Sequence, residues 1–408
     1  MNIKLDMLDT AEHLLLSEAI EKNNSLSLVI TSSAQEANSL TSVLNFFLKD
    51  KNAPILSFPD RETLPYDVFS PHQDLISKRL ETLSKLSNIS RGALIVPITT
   101  LMNYLPPKEF ISSRTFIYNL KTKEKKLVKE QLIPSGHNSN EYIVERLECE
   151  GHDGRIIPIT ITRKKTTKLD GNSNLLLYGY GSYGNSMWPS FSSVRLSLIN
   201  RDIIWATAHI RGGMERGMKW WKEGKLLNKK NTFQDYISCV KFLIDKKYTS
   251  KKKIIGMGGS AGGLLMGAVV NEKPDLFLGM IMAVPFVDSL TTNLDHSLPL
   301  TIGEFDEFGN AKDNKEHFEY IYSYAPYNNI KKMDYPNILI TTSLSDNRVL
   351  FDEPLKFTAK LRDYKTDNNL LLLKTEMNAG HGGKSGRDGV IEEIAFDYAF
   401  ICKIAKKI

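Results

Sequence analysis

Ser260 stands in the run Gly258-Gly259-Ser260-Ala261-Gly262-Gly263, after a strand-like segment (KKIIGM) and at the head of a helix-like one (AGGLLMGAVV). A serine on a tight strand-to-helix turn needs small neighbours on both sides, because the flanking backbones crowd it. The same turn aims the first N–H groups of the helix, that of Ala261 foremost, at the place where an oxyanion would form. The bland alternative is a glycine-rich turn with an incidental serine. Partners decide between the two, since a serine hydroxyl needs a histidine base, itself oriented by a carboxylate.

Those partners are in the chain. Asp346 closely follows the apolar run Ile338 to Thr342, and His381 lies in Asn378-Ala379-Gly380-His381-Gly382-Gly383, just after Leu370 to Leu373. His13, His72, His137, His152 and His209 precede the serine, and His209 reads as a structural residue at a strand end. His296 and His317 precede Asp346. Only His381 completes the order serine, acid, histidine expected of an α/β-hydrolase, with glycines that let its loop reach the serine. Such a mechanism needs no metal or cofactor.

Two more runs carry chemistry-bearing side chains. Tyr178-Gly179-Tyr180-Gly181-Ser182-Tyr183-Gly184 follows a strand; it is either an aromatic packing turn or the source of a tyrosine hydroxyl over the oxyanion. Gly303-Glu304-Phe305-Asp306-Glu307 reads as an acidic loop, either solvated or placed to hold a Lys or Arg side chain.

The elements that must position these residues follow an α/β pattern. From about Asp153 onward, apolar runs at 156–163, 174–178, 203–208, 253–257, 278–284, 337–342 and 370–375 read as strands. Helical periodicity falls between them at 232–245, 261–270, 353–364 and 391–407. A separate α/β pattern occupies the start: a buried strand at 26–31, helix at 34–48, strand at 54–58, helix at 74–86 and strand at 93–97. No phosphate-cradling glycine run follows Thr31. Between the two patterns, 112–151 is polar and hairpin-like. The expected organisation is therefore 1–110, 111–150 and 151–408.

Composition narrows the class. With 41% apolar and 25% charged residues, the 408-residue chain has the balance of a soluble globular protein. Apolar stretches such as Leu276 to Val287 are too short to span a membrane. The acidic start (Asp6, Asp9, Glu12, Glu18, Glu21) is no secretory signal, so a cytoplasmic location is expected. Cys149, Cys239 and Cys402 are widely spaced and suggest neither a disulfide framework nor a metal site. The net charge of +6 comes partly from clusters such as Lys229-Lys230, which read as solvated surface; without interleaved aromatic residues they argue against nucleic acid as a partner.

With these motifs in view, residues from about Ser112 to Ile408 resemble the catalytic part of oligopeptidase B, in the prolyl oligopeptidase family. The resemblance rests on LLLYGYGSYG, AHIRGGMERG, EGKLLNKKNTFQDY, GGSAGGLLMGAV, PDLFLGMIMAVPFVD, LPLTIGEFDEFGN and NAGHGGKSGR. It implies a peptidase with Ser260, Asp346 and His381 as triad, and with Tyr180 and the Ala261 N–H as oxyanion donors. Glu304 and Asp306 would recognise Arg or Lys, Arg348 would anchor the substrate backbone, and basic peptides would be the substrates. The family's second acidic site falls here on Met187-Trp188-Pro189-Ser190, which has no acid. The family's β-propeller is represented only by Ser112 to Glu130, which resembles its last strands.

Residues from about Leu26 to Phe110 resemble the N-terminal segment of the transcription-repair coupling factor, through FPDRETLPYDVFSPHQDLISKRLETL and RGALIVPITTLMNYLPP. The chain thus looks like a fusion of two gene fragments. Two rival functions follow: a catalytically impaired remnant, or a DNA-repair interaction module. The missing motor and partner-binding parts of that second family argue against repair-protein contacts.

Overall fold

The computed structural model describes residues 10–48, 53–60, 73–86, 88–101, 105, 133 and 136–407. The chain divides into two compact units, 1–134 and 135–408.

The first unit runs α1 (Thr10–Lys22), β1 (Leu26–Thr31), α2 (Ala34–Phe47), β2 (Ile55–Ser57), α3 (Gln73–Leu86), β3 (Gly92–Pro97) and α4 (Ile98–Leu101). The three strands among its described residues pair in parallel in the order β1-β3-β2, as strands separated by helices require. Helix α2 starts at Ser33, whose side chain accepts the Glu36 N–H and satisfies one of the helix's free donors. Leu40 and Leu44 of α2 pack with Ala93 and Ile95 of β3. Central β3 is buried, whereas β1, expected to be buried, exposes Leu28 and Ile30 because it is an edge strand.

The second unit carries the site. Its elements are β4 (Tyr142–Glu150), β5 (Ile156–Lys164), β6 (Asn174–Tyr178), α5 (Arg195–Ile199), β7 (Ile203–Ala208), α6 (Met218–Lys222), α7 (Lys230–Asp245), β8 (Ile254–Gly259), α8 (Ala261–Glu272), β9 (Phe277–Ala283), α9 (Ser289–Leu294), α10 (Thr301–Phe308), α11 (Lys315–Tyr322), β10 (Asn337–Ser343), α12 (Asp352–Tyr364), β11 (Leu371–Glu376) and α13 (Arg387–Ala405). Among the described residues, eight strands form one mixed sheet in the order β11-β10-β9-β8-β6-β7-β5-β4. All neighbours from β11 to β7 are parallel, and β5 runs antiparallel to both β7 and β4. This is the α/β-hydrolase arrangement expected from the motifs.

Alternate strand residues feed opposite faces. Leu175, Leu177, Ile204, Ile254, Met280 and Ile340 pack against α7, α8 and α12. Leu176, Ile203, Trp205, Ile255, Ile281 and Leu339 pack against α5 and α13. A sheet covered on both faces explains why its strands read as continuous apolar runs.

Three readings of the sequence change. Residues 142–150, assigned to a polar connecting stretch, form the edge strand β4, and the division between units falls at 134/135. Their charges sit on an exposed edge, where Glu145 accepts from Arg163 of β5 at 2.6 Å. The acidic run 303–307 is part of helix α10 and not a loop. Lys229, taken as solvated, is 1% exposed. The hairpin-like and propeller-like stretch 112–130 lies outside the described residues.

Candidate active site

Parallel strands β6, β8, β10 and β11 end on the same edge of the sheet, so the loops that follow them share one surface. Each sequence-predicted residue of the triad is on such a loop. Ser260 follows β8 directly, Asp346 lies three residues after β10, and His381 five residues after β11. Tyr180 lies two residues after β6.

Ser260 adopts φ 56° and ψ −120°, a left-handed conformation that an L-residue holds only under constraint. The constraint is visible in its hydrogen bonds. Its N–H donates to the Ala283 carbonyl at 2.8 Å, and its carbonyl accepts from Gly263 and Phe286. The flanking glycines are required by space: a Cβ on Gly258 would lie 2.4 Å from the Gly262 oxygen, and one on Gly262 would lie 2.9 Å from the Gly179 oxygen. The same Gly262 lets the Tyr180 ring approach to within 3.3 Å of that Cβ position, beside the first turn of α8. Ala261, which opens α8, is buried, and a first-turn N–H has no acceptor within its own helix. Burial pushes the Tyr180 hydroxyl up from its ordinary pKa, so it stays a proton donor.

His381 Nδ1 lies 2.7 Å from Asp346 Oδ2. The other oxygen, Oδ1, accepts the N–H groups of Arg348 and Val349 at 2.9 and 3.0 Å. Burial opposes ionisation of Asp346, but the His381 bond and the two backbone donors outweigh it and hold the carboxyl below its ordinary pKa. The two loops are zipped together: Ser345 N–H donates to the Ala379 carbonyl and Leu344 N–H to that of Glu376. Glu393 of α13 accepts the Lys384 N–H at 2.9 Å and so ties down the far end of the histidine loop. No hydrogen bond joins Ser260 Oγ to His381 among the described residues. Catalytic hydrogen bonds are often long before substrate arrives.

The acidic residues separate into three environments. Glu304 is half-buried and accepts the Tyr183 hydroxyl at 2.7 Å, which orients it toward the turn that bears Tyr180. Burial raises its pKa, with Glu307 adding to the shift and Tyr183 opposing it. Asp306 is exposed and paired with Lys225 at 2.7 Å. Glu307 is buried and held by Lys229 and Trp221. Arg348 is exposed, two residues beyond Asp346. At 187–190, where the second acidic site was sought, Met187 donates its N–H to Glu215 and Trp188 is 80% exposed.

The sequence reading missed Tyr183, Lys229 and Glu307 as parts of this site, although all three stand within or beside the quoted motif runs. His209, read as structural, is buried beyond the end of β7 with Nε2 2.8 Å from Thr160 Oγ1. Together the features provide a constrained serine, a carboxylate-oriented imidazole and proton donors at a helix start, which is the apparatus of acyl transfer to a hydroxyl.

The chain belongs to the prolyl oligopeptidase family, whose pattern matches residues 189–407. Among curated relatives, protease 2 of Moraxella lacunata is 46% identical over 287 residues, covering 70% of this chain and 41% of the relative. Dipeptidyl aminopeptidase BI of Pseudoxanthomonas mexicana is 44% identical over 288 residues, covering 70% of this chain and 40% of the relative. Oligopeptidase B from Leishmania major superposes with a TM-score of 0.69 at 41% identity, over 72% of this chain and 40% of that one. The chain therefore spans about two fifths of the length of these relatives. Among the described residues, no helix is long and apolar enough to cross a membrane.

Proposed function

We propose that the protein is a serine peptidase that cleaves peptides after Arg or Lys through an acyl-enzyme. Ser260 attacks the scissile carbonyl while His381 takes the hydroxyl proton and then delivers it to the leaving amine. Asp346 holds the imidazole in the productive tautomer and stabilises the imidazolium. Tyr180 and the Ala261 N–H donate to the oxyanion. A water molecule deprotonated by His381 then attacks the ester, releasing the acid and regenerating Ser260.

The single observation that carries this reading is the 2.7 Å bond between His381 and Asp346, made at the sheet edge where Ser260 stands in a left-handed turn. Preference for a basic side chain is supported by Glu304, a half-buried carboxylate beside the Tyr180 turn, with Asp306 on the same helix. Arg348, exposed just past Asp346, suits a contact with the substrate backbone.

A fluorophosphonate probe followed by peptide mapping tests the assignment. The expected adduct is on Ser260, absent in Ser260→Ala and formed much more slowly in His381→Ala. A folded protein that takes no label would instead favour a catalytically impaired remnant.

A further inference from the structure

Under the turn that bears Tyr180 lies a cation with no part in the chemistry above. Lys229, immediately before α7, is 1% exposed. Its ammonium donates to the Gly181 carbonyl at 2.8 Å, to Ser182 Oγ at 2.6 Å and to Glu307 Oε1 at 3.2 Å. An ammonium has three N–H donors, and here each has an acceptor, so none is left for solvent or substrate. Glu307 is fixed from its other side by Trp221 Nε1 at 2.8 Å. The Phe308 ring stands 5.2 Å from the ammonium, and the Tyr183 ring meets Phe308 edge-on at 5.9 Å. A second tie runs alongside, from the Tyr183 hydroxyl to Glu304. The 179–184 turn and α10 are therefore joined at two points, one of them a fully buried ion pair.

We propose that Lys229 is a positioning residue that locks the Tyr180 turn to α10, so that the place of the oxyanion donor is set by one buried contact. This rests on the serine-peptidase reading. A buried ammonium cannot exchange its partners for water without a large cost, which gives the pair a single arrangement. The turn cannot move away from the lysine freely either. Gly181 has φ 73°, and a Cβ there would come within 2.4 Å of Thr232 Cγ2, so the backbone is packed from that side as well. Displacing a catalytic group by about 1 Å can cost about 100-fold in rate.

The test compares Lys229→Met and Ser182→Ala with the unaltered 408-residue chain. Substrate binding is read from KM for a chromogenic arginyl peptide, and oxyanion stabilisation from kcat and from affinity for leupeptin, a peptide argininal whose adduct with Ser260 places an oxyanion in the site. A residue that merely supports the fold would not separate the two. Lys229→Met is expected to weaken leupeptin binding by about 100-fold, with kcat falling in parallel and KM changing far less. Ser182→Ala, which keeps the ion pair, is expected to show the same split at several-fold. Unchanged leupeptin affinity in a folded Lys229→Met protein overturns the inference; should that variant not fold, unchanged affinity in Ser182→Ala does so. An unaltered protein that neither binds leupeptin nor takes a fluorophosphonate label refutes the peptidase reading, and this inference with it.

Discussion

His381 and Asp346 are held together at 2.7 Å, and the aspartate is itself anchored by the Arg348 and Val349 N–H groups on its second oxygen. The imidazole is thereby oriented by a carboxylate that cannot turn without losing two hydrogen bonds. Asp346→Asn keeps an oxygen for the backbone donors but removes the charge and favours the wrong imidazole tautomer. We expect kcat to fall on the order of 10^4-fold. Steady-state hydrolysis of an arginyl peptide checks it, and a loss below tenfold would contradict the role given to Asp346.

Glu304 and Asp306 are not equivalent. Glu304 is half-buried against Tyr183, whereas the Asp306 side chain is 75% exposed and already paired with Lys225. Ion pairs weaken with exposure, so the two substitutions should differ in size. Glu304→Gln is expected to lower kcat/KM for an arginyl substrate by about 100-fold, and Asp306→Asn by less than about tenfold. Because burial raises the Glu304 pKa, preference for arginyl over neutral substrates should also decline as pH falls and this carboxylate protonates. Competition between the two substrates across pH reads both effects.

Glu353, on α12, is buried, and its pKa is pushed up to about 7 by burial, which outweighs the hydrogen bonds from Thr292 and the Asp288 N–H. The folded state thus binds this proton more tightly than the unfolded chain, whose carboxyl has an ordinary pKa near 4.5. The contribution to stability is fully present below pH 4.5 and is lost as pH rises toward about 7. The loss should be on the order of 3 kcal/mol. Melting temperature measured from pH 5 to 8 should fall more steeply for the unaltered protein than for Glu353→Gln; parallel curves would contradict the assignment.

Gly258 precedes the serine turn, and a Cβ there would strike the Gly262 carbonyl oxygen at 2.4 Å, a contact with backbone that has no flexible side chain to yield. Gly258→Ala is therefore expected to destabilise the second unit by roughly 2 kcal/mol. That corresponds to a melting point lower by about 4–8 °C. Calorimetry checks it, and an unchanged melting point would show that the turn can relax.

Much of this was legible in the chain itself. Strands such as Ile203–Ala208 and Asn337–Ser343 read directly as apolar runs because both faces of the sheet are covered. The candidates Ser260, Asp346 and His381 stand out by their order along the chain, and Ser260 and His381 also by their flanking glycines. Lys229 was not, because its acceptors at Gly181, Ser182 and Glu307 lie 47 to 78 residues away in sequence, and a paired lysine looks the same as a solvated one. Helix α10 was hidden by its shortness and by Gly303 and Gly309, which read as loop punctuation. Strand β4 was hidden by charges that its edge position tolerates. Long-range pairing and burial of charge are properties of the folded chain, and local pattern carries little of either.

The most direct test of the central claim is hydrolysis of a chromogenic arginyl peptide by the purified 408-residue protein, with Ser260→Ala measured beside it. We expect turnover in the first and none in the second. Equal turnover in both would show that Ser260 is not the nucleophile, and no turnover in either, from folded protein, would contradict the peptidase assignment.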